Sequence, residues 1–316
     1  MGRYFIKFSY LGTQYRGMQK NIIPREGNIL MHDTDTIQGT LETALTKILP
    51  KCTKWPKLTC SSRTDSGVHS LCNTAHVDIE NKLDYIYNPH EVLKIVNRHL
   101  NHSSHDIRLL EFIPVNKNFH ARKLAKSRTY IYRFGKAKYD NEHRLPLAEI
   151  KQSFHLSAEN FDFERVKCAI QLFMGLKDFR TFSAKNNSSI PINYVRQLNS
   201  FTLEKSNPLM PYDPLSENYE YWHFVVSGRS FLYNQVRRMV GALLALGVGR
   251  ITERDINIML QVPGHHNWLT KISMVPPRGL YLVNIEYCQE ELDKYTIKYK
   301  LSSDSERVEP IEANEI

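Results

Sequence analysis

The feature that most constrains this chain is a strand and helix order that occurs twice, once in each half. Residues 3–10 place Tyr4, Ile6, Phe8 and Tyr10 on one face, the alternation of a half-buried strand. Residues 37–48 place apolar side chains at helical spacing, which predicts an amphipathic helix. The other elements predicted for this half are strands at 57–62, 74–79 and 108–112, and a helix from Asn88-Pro89 to about residue 100.

The second half repeats this order. It predicts strands at 127–134, 198–203, 221–227 and 281–287, and helices at 161–174 and 231–248. Two similar halves predict an α+β fold of two domains, with mixed, mainly antiparallel sheets covered by helices. We expect the domains at 1–115 and 116–288, and a disordered, dispensable charged tail at 289–316.

The charge of the chain points to a polyanionic partner. Lys and Arg number 42 against 33 Asp and Glu, and the tail at 289–316 holds eight of the acidic residues and four of the basic ones. Residues 1–288 therefore carry 38 basic and 25 acidic side chains, a net +13. A basic surface of this kind attracts nucleic acid, although a solvated surface biased for solubility fits the charge equally well.

Several classes of site are excluded by what the sequence lacks. The five cysteines form no CxxC pair, which argues against a disulfide framework or structural zinc and favours a reducing compartment. His99, His102 and His105 recur every third residue, but they straddle a helix end and a polar loop, so we expect no metal. The longest apolar run, 239–248, is too short to span a bilayer.

No secretory signal is recognisable, so we expect an intracellular, soluble protein with no membrane partner. The mitochondrial, cytoplasmic and nuclear compartments stay open. The sequence also lacks the phosphate loop, the dinucleotide fingerprint and the HExxH, GxSxG and PCxxC motifs. What remains is carboxylate chemistry, for which we expect no cofactor.

The first motif with chemical content spans residues 61–69, Ser-Ser-Arg-Thr-Asp-Ser-Gly-Val-His. It follows a predicted strand and contains a glycine turn, a place where side chains can point into a cleft. Asp65 is the only carboxylate in it. An aspartate that only bonds its own turn is the alternative interpretation.

A second motif, residues 231–241, carries two adjacent arginines on a predicted apolar helix. Arg237 and Arg238 should point about 100° apart, at about 3.6 residues per turn. A buried guanidinium is costly without an anion. The alternative is one arginine that extends to water and one on the surface.

The third motif combines basic and aromatic residues. Residues 116–144 hold nine Lys or Arg against two acids, interleaved with aromatic side chains that include Tyr130. This composition is typical of phosphate contacts with base stacking, and equally of an aromatic strand with a solvated edge. The candidate RNA contacts are Arg122, Lys123, Lys126, Arg128, Arg238 and His69.

The order and wording of these motifs resemble the TruA-type tRNA pseudouridine synthases. The matching segments are Tyr10 to Gln19 for Y-D-G-T-x-Y-x-G-W-Q, Arg63 to His69 for R-T-D-A-G-V-H, Phe119 to Arg122 for F-H-A-R, Arg128 to Tyr132 for R-x-Y-x-Y, Gly175 to Phe179 for G-x-x-D-F, Phe231 to Gly241 for F-L-Y-x-x-V-R-x-M-V-G, and Gly279 to Leu282 for G-L-Y-L. These matching segments run from residue 10 to residue 282.

The resemblance implies isomerisation of uridine to pseudouridine in tRNA without cofactor, often in the anticodon stem-loop. It places the catalytic carboxylate on Asp65, the base-stacking tyrosine on Tyr130 and the carboxylate-pairing arginine on Arg237. Arg63 would fill the place of the flipped base. It also implies a basic catalytic cleft between the domains and, usually, a homodimer. Whether the carboxylate attacks the sugar or the base stays open.

This sequence departs from the family pattern in ways that bear on the choice of RNA. Met18 replaces a tryptophan, Ser66 and Ser70 replace alanines, and an arginine often found near 188–191 is missing. The alternative function is a catalytically idle RNA-binding protein of the same fold. An enzyme acting on free nucleotides is disfavoured by the basic body and the missing phosphate loops.

Overall fold

The computed structural model describes residues 1–20, 33, 35–48, 54–80, 86–139, 142–158, 160–185, 191–300 and 307–310. The strands are β1 (Gly2–Tyr10), β2 (Lys57–Cys60), β3 (His69–Ile79), β4 (Ile86–Tyr87), β5 (Ile107–Val115), β6 (Ser127–Ala137), β7 (Phe154–Leu156), β8 (Gly175–Asp178), β9 (Val195–Lys205), β10 (Tyr219–Gly228), β11 (Leu280–Glu286), β12 (Tyr299–Lys300) and β13 (Arg307–Pro310). The helices are α1 (Ile37–Leu45), α2 (Pro89–His102), α3 (Ala121–Leu124), α4 (Phe163–Ala169), α5 (Gln235–Gly247), α6 (Glu253–Gln261) and α7 (Gln289–Tyr295). The predicted mixture of helices and sheets is confirmed.

The chain divides into two compact units. Unit 1 consists of residues 1–126 and 284–316, and unit 2 of residues 127–283. The expected boundary at 115/116 lies earlier than this division. Residues beyond 115 stay with unit 1 because Phe119 and Ala121 pack in one buried cluster with Phe5 and Val115.

Unit 1 is an antiparallel sheet with helices. Strand β1 lies between β3 and β5, and β2 pairs with the other edge of β3. Helix α2 begins as predicted, because the Asn88 side chain accepts a hydrogen bond from the His90 N–H and Pro89 occupies the first turn. The core contains Tyr4, Ile6, Phe8, Ile37, Leu41, Val92, Val96, Leu100 and Phe112.

Unit 2 repeats this construction with a different strand order. Strand β10 lies between β6 and β9, both antiparallel to it, and β8 pairs with the far edge of β9. Strand β7 runs parallel to β6. Helix α5 is buried along almost its whole length, which explains why its sequence is apolar on nearly every side.

The start of α5 differs from the sequence prediction. The apolar run begins at residue 231, but the helix begins only at Gln235. Asn234 has φ 62 and ψ 7, a left-handed conformation that asparagine tolerates better than most residues and that no right-handed helix can contain. Residues 231–234 are therefore a turn that leads into α5.

The tail also differs from its expected disorder over part of its length. Helix α7 covers residues 289–295, and β13 pairs with both β12 and β4. Leu292 and Tyr295, three residues apart on one helix face, pack against the cluster that contains Phe119. The Asn116 N–H donates to the Tyr295 carbonyl at 2.8 Å. Two apolar side chains among many charges hold this part of the tail; residues 301–306 and 311–316 lie outside the described residues.

Among the described residues, no helix combines the length and the apolar character that crossing a bilayer requires.

Candidate active site

Asp65 lies on the connection between β2 and β3 in unit 1. The turn is closed by main-chain atoms, with the Val68 N–H donating to the Asp65 carbonyl at 3.2 Å. Gly67 has φ 78, a left-handed conformation that glycine adopts readily because it has no Cβ atom. Asp65 is partly buried, while the neighbouring Arg63 is exposed.

The Asp65 turn is held by residues 10–19, called below the opening segment. The Met18 N–H donates to the Thr64 carbonyl at 3.1 Å, and the Ser66 hydroxyl donates to the Tyr15 carbonyl at 3.0 Å. The Tyr10 and Thr64 hydroxyls share a buried hydrogen bond of 2.7 Å. Two segments that are separate in sequence thus form one framework for the residues on either side of the carboxylate.

Glycine allows these two segments to approach closely. A Cβ atom on Gly12 would lie 1.9 Å from the Val68 carbonyl oxygen, and Gly17 has φ 113 beside the backbone of residues 64–66. The two glycines of the opening segment are therefore required by packing around the Asp65 turn.

His69, expected to contact RNA, lies inside this framework. Its exposed fraction is 0%, and its Nδ1 accepts a hydrogen bond from the Gly12 N–H at 3.1 Å. A side chain without accessible surface cannot reach a phosphate, so we reassign His69 to positioning the Gly12 segment against the turn.

Asn73 and Thr74, which belong to none of the sequence motifs, fix the position of strand β3. Asn73 is fully buried on β3, and its side-chain amide donates to the Ser62 carbonyl at 3.2 Å and the Tyr10 hydroxyl at 3.1 Å. The neighbouring Thr74 shares a hydrogen bond of 2.6 Å with the Tyr287 hydroxyl. Their positions beside and within a predicted strand are the sequence signal for this role, because a polar side chain that is buried there needs hydrogen-bond partners.

Two candidate RNA contacts of the basic motif lie on α3 in unit 1. Arg122 and Lys123 are exposed on this helix, and its first N–H, that of Ala121, donates to His76 Nδ1 at 3.2 Å. Burial, with Arg3 and His120 nearby, lowers the pKa of His76 to about 4. The neutral imidazole is therefore available as the acceptor that anchors α3.

The other two candidate RNA contacts of the basic motif, Lys126 and Arg128, differ in their surroundings. Lys126 has an exposed side-chain fraction of 53% and forms an ion pair with Glu291 at 2.7 Å. Arg128, at the start of β6, is buried, and its Nη1 donates to the Arg229 carbonyl at 2.5 Å. Of the four candidate RNA contacts in this motif, Arg122, Lys123 and Lys126 therefore lie on the surface, and Arg128 links two segments of unit 2.

Tyr130 and Arg237 both lie in unit 2. Tyr130 is on β6 opposite Val226 of β10, is largely buried, and meets Phe231 edge to face at 5.2 Å between centroids. Phe231 belongs to the turn before α5, and Arg237 is the third residue of that helix and is buried. The β10–α5 connection thus positions two of the predicted site residues, Tyr130 and Arg237.

Arg237 and Arg238 leave α5 in different directions, as their spacing predicts. Arg237 is 8% exposed, with Nε donating to the Val275 carbonyl at 2.9 Å and Nη1 to Asn234 Oδ1 at 3.0 Å. Arg238 donates from Nη1 to the Thr181 carbonyl at 3.0 Å and lies 4.8 Å from the Trp268 ring centroid. Burial lowers the pKa of Arg238.

No group of three or more His, Cys, Asp or Glu side chains in the described part of the chain could hold a metal ion. Within unit 1, residues 10–19 pack around the Asp65 turn. Within unit 2, the β10–α5 connection contacts Tyr130 through Phe231 and Arg237 through Asn234.

The sequence matches the family model described as tRNA pseudouridine synthase over residues 169–288. It is 35% identical over 295 residues to "tRNA pseudouridine synthase-like 1" of Xenopus laevis, covering 93% of this chain and 94% of that protein. The human protein of the same name is 31% identical, with 90% of each chain covered. "tRNA pseudouridine synthase A 2" of Bacillus cereus is 30% identical, covering 91% of this chain and 100% of the bacterial protein.

Proposed function

This chain belongs to the tRNA pseudouridine synthase family, and we propose that it isomerises uridine to pseudouridine in tRNA. The observation that carries the proposal is the similarity to synthases along almost the whole chain, with Asp65 present in its motif. In this isomerisation the bond from the sugar C1′ to N1 of the base breaks and a bond to C5 forms. C5 loses a proton and N1 gains one, so no second substrate and no cofactor is consumed.

We assign Asp65 the central role. Breaking and remaking a glycosidic bond needs a carboxylate, either as nucleophile or to stabilise positive charge on the sugar. The turn that carries Asp65 is held through both Thr64 and Ser66, which suits a group that must be placed accurately.

Tyr130, Arg63 and Arg237 are assigned supporting roles. A uridine inside a stem is reached only after it is flipped out of the stack. The Tyr130 ring would stack on the flipped base, and the exposed Arg63 would fill the space that the base leaves. Arg237 would pair with the Asp65 carboxylate and keep it ionised, since a neighbouring cation favours the charged form.

The exposed side chains of Arg122, Lys123 and Lys126 are assigned to the phosphate backbone. The anticodon stem-loop is the target that we propose, and a homodimer is the proposed assembly. Light scattering of the purified protein, alone and with tRNA, measures the assembly directly.

The decisive experiment compares Asp65→Asn with a matched control, Asp35→Asn. Asn keeps the size of the side chain and removes its charge. Asp35 is an exposed carboxylate of the same unit, paired with Arg16 at 2.5 Å. We expect Asp65→Asn to bind tRNA and form no pseudouridine, and Asp35→Asn to retain activity, in pseudouridine mapping of tRNA incubated with each protein.

Two outcomes would reject parts of this proposal. Conversion of uridine by Asp65→Asn would remove Asp65 from the mechanism. Binding without conversion by the unchanged protein, across cytoplasmic and mitochondrial tRNAs, would favour the idle RNA-binding protein. The proposed pairing is tested by adding Arg237→Met: partners are expected to show non-additive stability losses, and independent residues additive ones.

A further inference from the structure

A short segment after β8, residues 179–184, is fixed within unit 2 by its main chain and core side chains. The Thr181 hydroxyl donates to the Met259 carbonyl at 2.8 Å and accepts from the Gly264 N–H at 3.0 Å. Phe179 and Phe182 are fully buried. Side chains that leave this segment toward solvent therefore start from a rigid base.

Arg180 leaves the segment and stacks on an aromatic ring. Its guanidinium carbon lies 5.0 Å from the centroid of Tyr194, and 46% of its side chain is exposed. The Tyr194 ring is oriented in turn by His265, which meets it edge to face at 5.4 Å. The His265 ring nitrogens lie 3.2 Å from the Ser183 carbonyl and 3.4 Å from the Tyr194 hydroxyl.

The Asp178 carboxylate, close to Arg180, is hydrogen-bonded to the main chain. Asp178 Oδ1 accepts a hydrogen bond from the Arg180 N–H at 2.8 Å, which fixes the turn. The closest distance from Asp178 to the guanidinium is 3.7 Å, longer than a hydrogen bond. The exposed guanidinium therefore retains donors for another anion.

Arg238 provides a second stacked cation at the same segment. Its Nη1 bonds the Thr181 carbonyl, and its guanidinium lies over Trp268. In contrast to Arg133 and Arg165, which have carboxylate partners, Arg238 forms no ion pair within the described part of the chain. Desolvation without an anion is unfavourable for a cation, which makes this position receptive to one.

We propose that Arg180 and Arg238, with the rings of Tyr194 and Trp268, form an RNA-binding surface that contacts phosphates of the tRNA backbone; below it is the stacked-arginine surface. The inference rests on the proposed function. Guanidinium groups match phosphate with paired donors, and an aromatic ring beneath orients them. The contact is to nucleotides other than the reacting one, because Arg238 diverges on α5 from Arg237, the proposed partner of Asp65.

The test measures the affinity of the full-length protein for tRNA as a function of salt. Each phosphate contact contributes about 0.7 to 0.9 to the slope of log K against log salt. We expect Arg180→Gln to reduce the slope by about that amount, and Arg180→Lys to keep it. The matched control is Lys167→Gln, which removes another cation of unit 2. Like Arg180, Lys167 lies near an aromatic ring, with Nζ 5.8 Å from the Trp222 centroid, and beside a carboxylate, that of Glu164.

An unchanged slope in Arg180→Gln, or an equal loss in Lys167→Gln, would overturn the stacked-arginine surface. Pseudouridine mapping on the unchanged protein separates this result from failure of the proposed function. If uridine is converted while the Arg180→Gln slope is unaltered, the surface is wrong and the function stands. If uridine is not converted but the slope falls, the surface is supported for a protein that only binds RNA.

Discussion

The contact between Gly12 and Val68 allows the Asp65 turn to be perturbed without replacing any site residue. An alanine Cβ at position 12 would lie 1.9 Å from the Val68 carbonyl oxygen, and real Cβ atoms essentially never come closer than 3.0 Å. The segment of Gly12 or the segment of Val68 therefore has to move by about 1.1 Å. The Val68 N–H closes the Asp65 turn, so that movement should be transmitted to the carboxylate.

The magnitude of the Gly12→Ala effect follows from this displacement. Overpacking in a filled interior costs roughly 1–3 kcal/mol of the free energy of unfolding. A misplacement of about 1 Å in a catalytic group can cost on the order of 100-fold in rate. We therefore expect Gly12→Ala to lower the single-turnover rate of pseudouridine formation even at a temperature where the variant is fully folded, so that lost stability does not explain the slower rate.

The assay pairs single-turnover rates with urea unfolding, and Gly135→Ala serves as the control. A Cβ on Gly135 would make only ordinary contacts, the nearest at 3.4 Å to the Tyr221 ring. A Gly12→Ala protein that is folded and as fast as the control would show that the segment around Gly12 does not position Asp65.

Three further predictions concern the anchoring of Arg237, the His76 imidazole and the tail. Asn234→Gly keeps the left-handed backbone but removes the acceptor of Arg237 Nη1, so we expect at least about a tenfold loss of single-turnover rate with a nearly unchanged melting temperature; recovery in Asn234→Asp would confirm the role of Oδ1. The pKa of His76 is about 4 against 6.5 for an unperturbed histidine, so its neutral form stabilises the fold above pH 6.5 and that contribution is lost as the pH falls toward 4; His76→Asn should flatten this part of a stability profile measured by urea unfolding. Removal of residues 291–316 should lower the melting temperature by several degrees, because Leu292 and Tyr295 leave the core, and an unchanged temperature would show that the tail helix contributes nothing.

Several features could be predicted from local sequence because their cause is local. The alternation in residues 3–10 depends only on the two-residue period of a strand, and the start of α2 depends on Asn88 and Pro89. The divergence of Arg237 and Arg238 follows from the helical repeat. The turn at Asp65 could likewise be expected from its position after a strand and before Gly67.

Other features depend on residues that are distant in sequence, and only the tertiary structure determines them. His69 is buried because Gly12 comes to it from 57 residues away, and Thr74 meets Tyr287 across 213 residues. Arg128 looked like an RNA contact because composition cannot show that the Arg229 carbonyl lies beside it.

The structure of residues 231–234 and of the tail also depends on distant residues and could not be predicted from local sequence. A continuous apolar run predicts a helix from residue 231, yet the chain turns at Asn234 and only then enters α5. In the tail, charge dominates the composition, and Leu292 and Tyr295 determine the structure because a core surface is available to them. Periodicity and composition describe what a segment can form, whereas burial against distant residues decides what it does form.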